Sequence, residues 1–172
     1  MKKLIIVLFV FVGMMGCQQK DEQKPQYQFP VGQMPSGPIQ SPMQGVDEIK
    51  LLQEALKKDP KNLNAWIKLG NILMDTSRYA EAAEAYNKAL QLDPKNVDVR
   101  VDMGTCLRYS GKPDLAVKEY KKALEFNPNH INGHKNMAVV LAYDLKDYKQ
   151  ALKEFEKTLQ IAPNAPVAGA IR

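Results

Sequence analysis

Apolar residues are arranged in three different ways along this 172-residue chain. From Leu4 to Val12 they run unbroken behind Lys2 and Lys3, and Gly13–Gly16 adds small or soft residues. Leu4–Gly16 would cover roughly 20 Å as a helix, short of a ~30 Å hydrocarbon core. This pattern predicts a signal-peptide h-region within residues 1–16, not a spanning helix. From residue 18 to 45 no apolar period survives. Eight Gln and five Pro fall in those 28 residues, which predicts a solvated, partly polyproline-like linker over 17–45. It would span roughly 30 Å as a coil and about 95 Å pulled straight. Tyr27, Phe29 and Met34 are apolar handles within it. Beyond it the spacing turns helical. VDEIKLLQEALKK, residues 46–58, places Ile49, Leu52, Ala55 and Leu56 on one face. That face predicts a helix, in a segment extending to 62, that caps the rest of the chain.

The remainder repeats. Prolines stand at 60, 94, 128 and 163, at intervals of 34, 34 and 35. Between them the chain states one helix–turn–helix sentence three times. The first, 63–96, has Trp66, Leu69-Gly70, Leu73, Ala82, Tyr86, Ala89 and Pro94. The second, 97–130, has Arg100 for Trp, then Met103-Gly104, Leu107, Ala116, Tyr120, Ala123 and Pro128. The third, 131–165, has His134, Met137-Ala138, Leu141, Ala151, Phe155, Thr158 and Pro163, with one extra residue within Ala142–Gln150.

This pattern resembles the tetratricopeptide repeat (TPR), W-x2-L-G-x2-Y…A-x3-F…P. The resemblance implies an all-α helix–turn–helix solenoid of three repeats plus the N-terminal capping helix. Gly70, Gly104 and Ala138 occupy the close helix crossings, where a larger side chain would push the pair apart. The prolines end each second helix, because the residue before Pro avoids the α region. After Pro163 the stub 166–172 is too short for a good capping helix, so Leu152 and Phe155 are expected either to be exposed or to be covered by something else.

Cys17, preceded by Gly16, resembles the lipobox of bacterial lipoproteins, which implies acylation at Cys17 and a stable membrane anchor. Met14 stands where Leu is commonest. Gln18, in place of an inner-membrane-retaining Asp, resembles the outer-membrane-sorted class. The implied location is the cell envelope, lipid-anchored and facing the periplasm. Removing Lys2 and Lys3 leaves 22 basic against 19 acidic side chains, or +3. That charge gives no support to a nucleic-acid partner.

Candidate chemistry is sparse. Two cysteines and two histidines exclude a four-cysteine metal site and a Cys-x-x-Cys-His haem attachment. His130 and His134 are four apart, but no third ligand accompanies them, and His134 in the Trp slot reads as packing. Cys106 reads as a small buried apolar residue. There is no phosphate-binding glycine loop. No enzyme, metal or cofactor is expected.

The TPR resemblance implies a concave surface lined by first helices that takes an extended peptide or partner helix. Carried onto this chain, the lining is Asn64, Ile67, Asn71 and Met74; Asp98, Val101, Thr105 and Arg108; then Asn132, Lys135, Val139 and Ala142. Asn71 stands where family members hold a ligand's backbone. The carboxylate-clamp cations are missing, with Ile67, Asp98, Asp102, Asn132 and Asn136 at or near those places. The implied function is a membrane-anchored, non-catalytic protein-interaction scaffold, as in secretion, pilus or envelope-enzyme assembly. The narrower alternative is an accessory factor in c-type cytochrome maturation.

Overall fold

The structure is a computed structural model and describes residues 42–164. The signal region, Cys17, the tether up to residue 41 and the segment from 165 lie outside the described residues. Among the described residues seven helices succeed one another: α1 Pro42–Lys58, α2 Leu63–Asp75, α3 Tyr79–Leu92, α4 Val97–Tyr109, α5 Pro113–Phe126, α6 Ile131–Tyr143 and α7 Tyr148–Ile161. No strand occurs among the described residues. The first helix begins at Pro42, earlier than the apolar pattern alone predicts. Proline is tolerated in a first helical turn, where its missing N–H would have no intrahelical partner.

Helices pair as α2–α3, α4–α5 and α6–α7, and each second helix packs on the next first helix. Two core clusters result. One, built from α1–α4, includes Leu69, Leu73, Ala82, Tyr86, Val99 and Met103. The other, built from α4–α7, includes Ala116, Tyr120, Met137, Val140 and Ala151. On α1, Ile49 and Leu56 are buried and Leu52 is half-buried, but Ala55 is exposed. The expected four-residue face is thus narrower. α1 packs chiefly against α2 among the described helices, and the flank bearing Ala55 stays open.

The same local devices recur at each junction. Asp59, Asp93 and Asn127 side chains accept from the N–H two residues on, making the proline turn. Asn62, Asn96 and His130 then cap α2, α4 and α6, each accepting from the N–H three residues on. The residue in the Trp slot donates back to the proline carbonyl: Trp66 to Pro60 at 2.9 Å and Arg100 to Pro94 at 2.6 Å. His134 Nε2 meets the Pro128 carbonyl at 2.9 Å. Three unlike side chains therefore perform one task, because each carries an N–H at its tip. Arg100 and His134 also need an acid. Arg100 pairs with Glu119 at 2.7 Å and His134 Nδ1 with Glu154 at 2.7 Å. Trp66 needs none, and Ala85 stands at the matching place.

Helix crossings are set by the ring opposite. A Cβ on Gly70 would lie 2.5 Å from Tyr86 Cε1, and one on Gly104 2.6 Å from Tyr120 Cε1. Turns between paired helices carry one residue of positive φ each: Ser77 at 60°, Gly111 at 75° and Lys146 at 59°. The extra residue of the third repeat lies in its turn. Four residues, 144–147, join α6 to α7, against three in the other two turns.

Candidate functional site

The first helices α2, α4 and α6 supply the face the TPR resemblance predicts as a groove. Asn64, Asn71, Asp98 and Asn132 are exposed on it. Ile67, Met74, Thr105, Arg108, Lys135, Val139 and Ala142 are half-buried. Val101 is placed differently: it is 3% exposed and belongs to the α4–α7 core. Its neighbour Asp102 is the half-exposed residue there.

Tyrosine hydroxyls fix the polar residues from beneath. Tyr86 donates to Asn71 Oδ1 at 2.8 Å. That bond orients the amide, so its NH2 group is the part left for a ligand. Asn71 is consequently a positioned donor. One repeat on, Thr105 Oγ1 spends its proton on the Val101 carbonyl at 3.1 Å, so Tyr120, 3.2 Å away, is the donor to Thr105. Burial pushes the Tyr86 hydroxyl far above its ordinary range and the Tyr120 hydroxyl up to about 12, the bond to Thr105 opposing the latter. Both hydroxyls keep their protons at neutral pH. The third repeat has Phe155 and Val139 at these places, with no polar atom on either side chain.

Three bridges tie α4 to α6 and its two flanking residues. His130 Nδ1 accepts the cap bond from Gly133 N–H at 3.0 Å, so Nε2 carries the proton and donates to Asp98 Oδ1 at 2.9 Å. Asn136 donates to Thr105 Oγ1 at 3.3 Å. Arg108 Nε donates to Asp144 Oδ2 at 2.6 Å. Part of the Arg108 guanidinium therefore serves the fold. Asp144 lies in the four-residue turn of the third repeat, and this pairing across 36 positions had no signal in the sequence.

Between α2 and α4 the arrangement differs. Among the described residues no hydrogen bond or ion pair joins these two helices. Here lie Asn64, Ile67, Asn71, Met74 and Asp102. The Asp102 side chain makes no hydrogen bond among the described residues. Burial, then the nearby Asp98, raises its carboxyl to about 6, and His130 opposes the shift.

His130 and His134 have separate structural partners. Among the described residues no three His, Cys, Asp or Glu side chains gather as metal ligands. Cys106 is fully buried, and burial with Asp102 nearby pushes its thiol up to about 12. It is therefore no thiolate at neutral pH.

Residues 39–167 match the family described as the cytochrome c-type biogenesis protein H TPR domain. The chain belongs to that family. No curated protein matches it. Solved structures share the solenoid. One described as "Crystal structure of MamA" has a TM-score of 0.64 at 23% identity, covering 67% of each chain. A MamA AMB-1 structure has a TM-score of 0.62 at 27% identity, covering 69% of this chain and 70% of its own. The MamA RS-1 ArsTM double mutant has a TM-score of 0.66 at 16% identity, covering 72% and 69%. As a member of this TPR family the chain is a scaffold of the protein–protein interaction class.

Proposed function

We propose that the concave face holds an extended segment of a protein partner, and that the partner is an apocytochrome awaiting haem attachment. The observation that carries the groove is Asn71. Its acceptor is occupied by Tyr86, which leaves the amide donors of this exposed residue for a ligand, and Ile67 and Met74 lie one turn away on either side along α2. A peptide carbonyl placed over that amide gains a neutral hydrogen bond, and the flanking apolar residues take side chains from alternate ligand positions. The family description, biogenesis of c-type cytochromes, supports the choice of partner. Affinity is modest, because an extended ligand is ordered on binding.

The reading is non-catalytic: Asp98, His130, Arg108 and Asp144 on this face serve a cap and bridges. Acylated Cys17 holds the module at an envelope membrane, with the periplasm as the working compartment. No described helix is long and apolar enough to cross a membrane.

The test is a photoreactive residue in place of Asn64 or Lys135, crosslinked in cells. Mass spectrometry should recover segments that carry or adjoin Cys-x-x-Cys-His, the c-type haem attachment sequence. Recovery solely of secretion or pilus components would replace the apocytochrome by another envelope partner. Crosslinks only from convex positions would remove the groove.

A further inference from the structure

A cleft of about 430 Å³ lies between α1, α2 and α3, and none of the groove residues named above lines it. Trp66, Leu69, Leu73 and Ala85 give it an apolar lining, while the exposed Lys57, Glu81, Glu84 and Lys88 form its rim. The later repeats show what the first one lacks. Arg100, in the Trp slot, meets Glu119 19 residues further on, and Lys122, three beyond that, meets the same carboxylate, each at 2.7 Å. In the third repeat Glu154 takes His134 at 2.7 Å. At the corresponding places after Trp66 stand Ala85 and Lys88. The first repeat therefore carries the lysine without the carboxylate, and a methyl group at Ala85 leaves the space open.

Charge at the rim follows from that. Lys88 has no hydrogen bond or ion pair among the described residues, and neither Lys57 nor Glu84 has one. Glu81 is spent, because Arg78 holds both its oxygens, at 2.7 and 2.5 Å. Two unpaired lysines thus stand against one unpaired acid, and the charge that complements them is a carboxylate. The Trp66 N–H is committed to the Pro60 carbonyl, so the indole offers a ligand apolar contact alone.

We propose that this cleft is a second docking site, and that its occupant is an extended segment of a protein partner with an acidic side chain two positions from an aromatic or branched apolar one. Side chains two apart share a face of an extended chain. The apolar one covers Trp66, Leu69 and Leu73 and releases their water. The carboxylate pairs with Lys88 in a charge-assisted bond, standing in for the acid that Glu119 supplies to Lys122. A basic segment is rejected, because it would leave Lys88 facing a like charge. The cleft volume lies within the range of small ligand sites.

Random dodecapeptides displayed on phage are selected on the full chain and counter-selected on the Lys88→Met variant. Enriched sequences should share an Asp or Glu two positions from an aromatic or branched apolar residue. No enrichment, or a motif without the acid, overturns the inference. Trp66 is the only tryptophan of the chain, so its fluorescence then follows titration with an enriched peptide, acetylated and amidated to remove its terminal charges. Lys88→Met in the protein and acid-to-amide exchange in the peptide should each weaken binding about tenfold, and the two together no further. Lys88→Arg should keep the affinity, and Asn71→Asp in the groove should leave it unchanged. Equal affinity for the Lys88→Met variant, or loss of binding with Asn71→Asp, overturns the second site.

Discussion

Gly104 lies under the Tyr120 ring, and the ring is held in place by its hydroxyl bond to Thr105. A side chain there has nowhere to go unless the helices part. Gly104→Leu should cost about 1–3 kcal/mol, more if the neighbouring repeats loosen with it, and lower the urea midpoint. Asp102 acts through pH. Its carboxyl stands at about 6 in the fold against an ordinary 3.8. The folded state therefore binds a proton between about pH 4 and 6 that the unfolded chain does not, and this residue's contribution favours folding as pH falls through that window. Above it, the ionised carboxylate is a burden. Asp102→Asn should be more stable than the parent at pH 7, by about 1–3 kcal/mol, with the gap shrinking by about pH 4. Urea midpoints at the two pH values measure this. The glycine is legible in sequence from its slot. Asp102 is not, because which of two adjacent residues, Val101 or Asp102, turns inward depends on how α6 lies across α4.

Elements were the most legible scale, and the reason is local. Asx turn, cap, Trp-slot donor and small crossing residue recur at fixed spacing, so each junction can be read from a short stretch of chain. What pairs the elements at a distance was not legible. Arg100 finds Glu119, His134 finds Glu154, and Asp144 of the long turn finds Arg108, each through a helix-packing geometry that one sequence does not reveal. The Arg100–Glu119 pair is deeply buried and Arg100 Nε has no hydrogen-bond partner among the described residues. Glu119→Ala should cost about 3 kcal/mol or more, since it leaves a buried guanidinium unpaired. Glu119→Gln, which keeps an acceptor, should recover part of the loss. A cost under ~1 kcal/mol in chemical denaturation would mean that Arg100 swings out to water. At the turns, Ser77→Gly should raise stability by up to about 1 kcal/mol by relieving a positive φ.

The described residues form a short solenoid, and Leu152 on its last described helix is exposed. That residue is 48% exposed, while the matching Ala83 and Val117 are 9% and 8% exposed beneath the following helix. At this scale the lipid anchor is the proposal that governs place. Cys17→Ser should move the protein from the membrane to the soluble fraction; a variant still processed and retained would remove the anchor. The central claim is that the concave face binds an extended segment through the donors of Asn71. Asn71→Asp tests it most directly, because a carboxylate still accepts from Tyr86 but offers no N–H. Fluorescence anisotropy with a labelled apocytochrome peptide containing Cys-x-x-Cys-His is the measurement. The account predicts about tenfold weaker binding with an unchanged melting temperature, and equal affinity in the two proteins would contradict it.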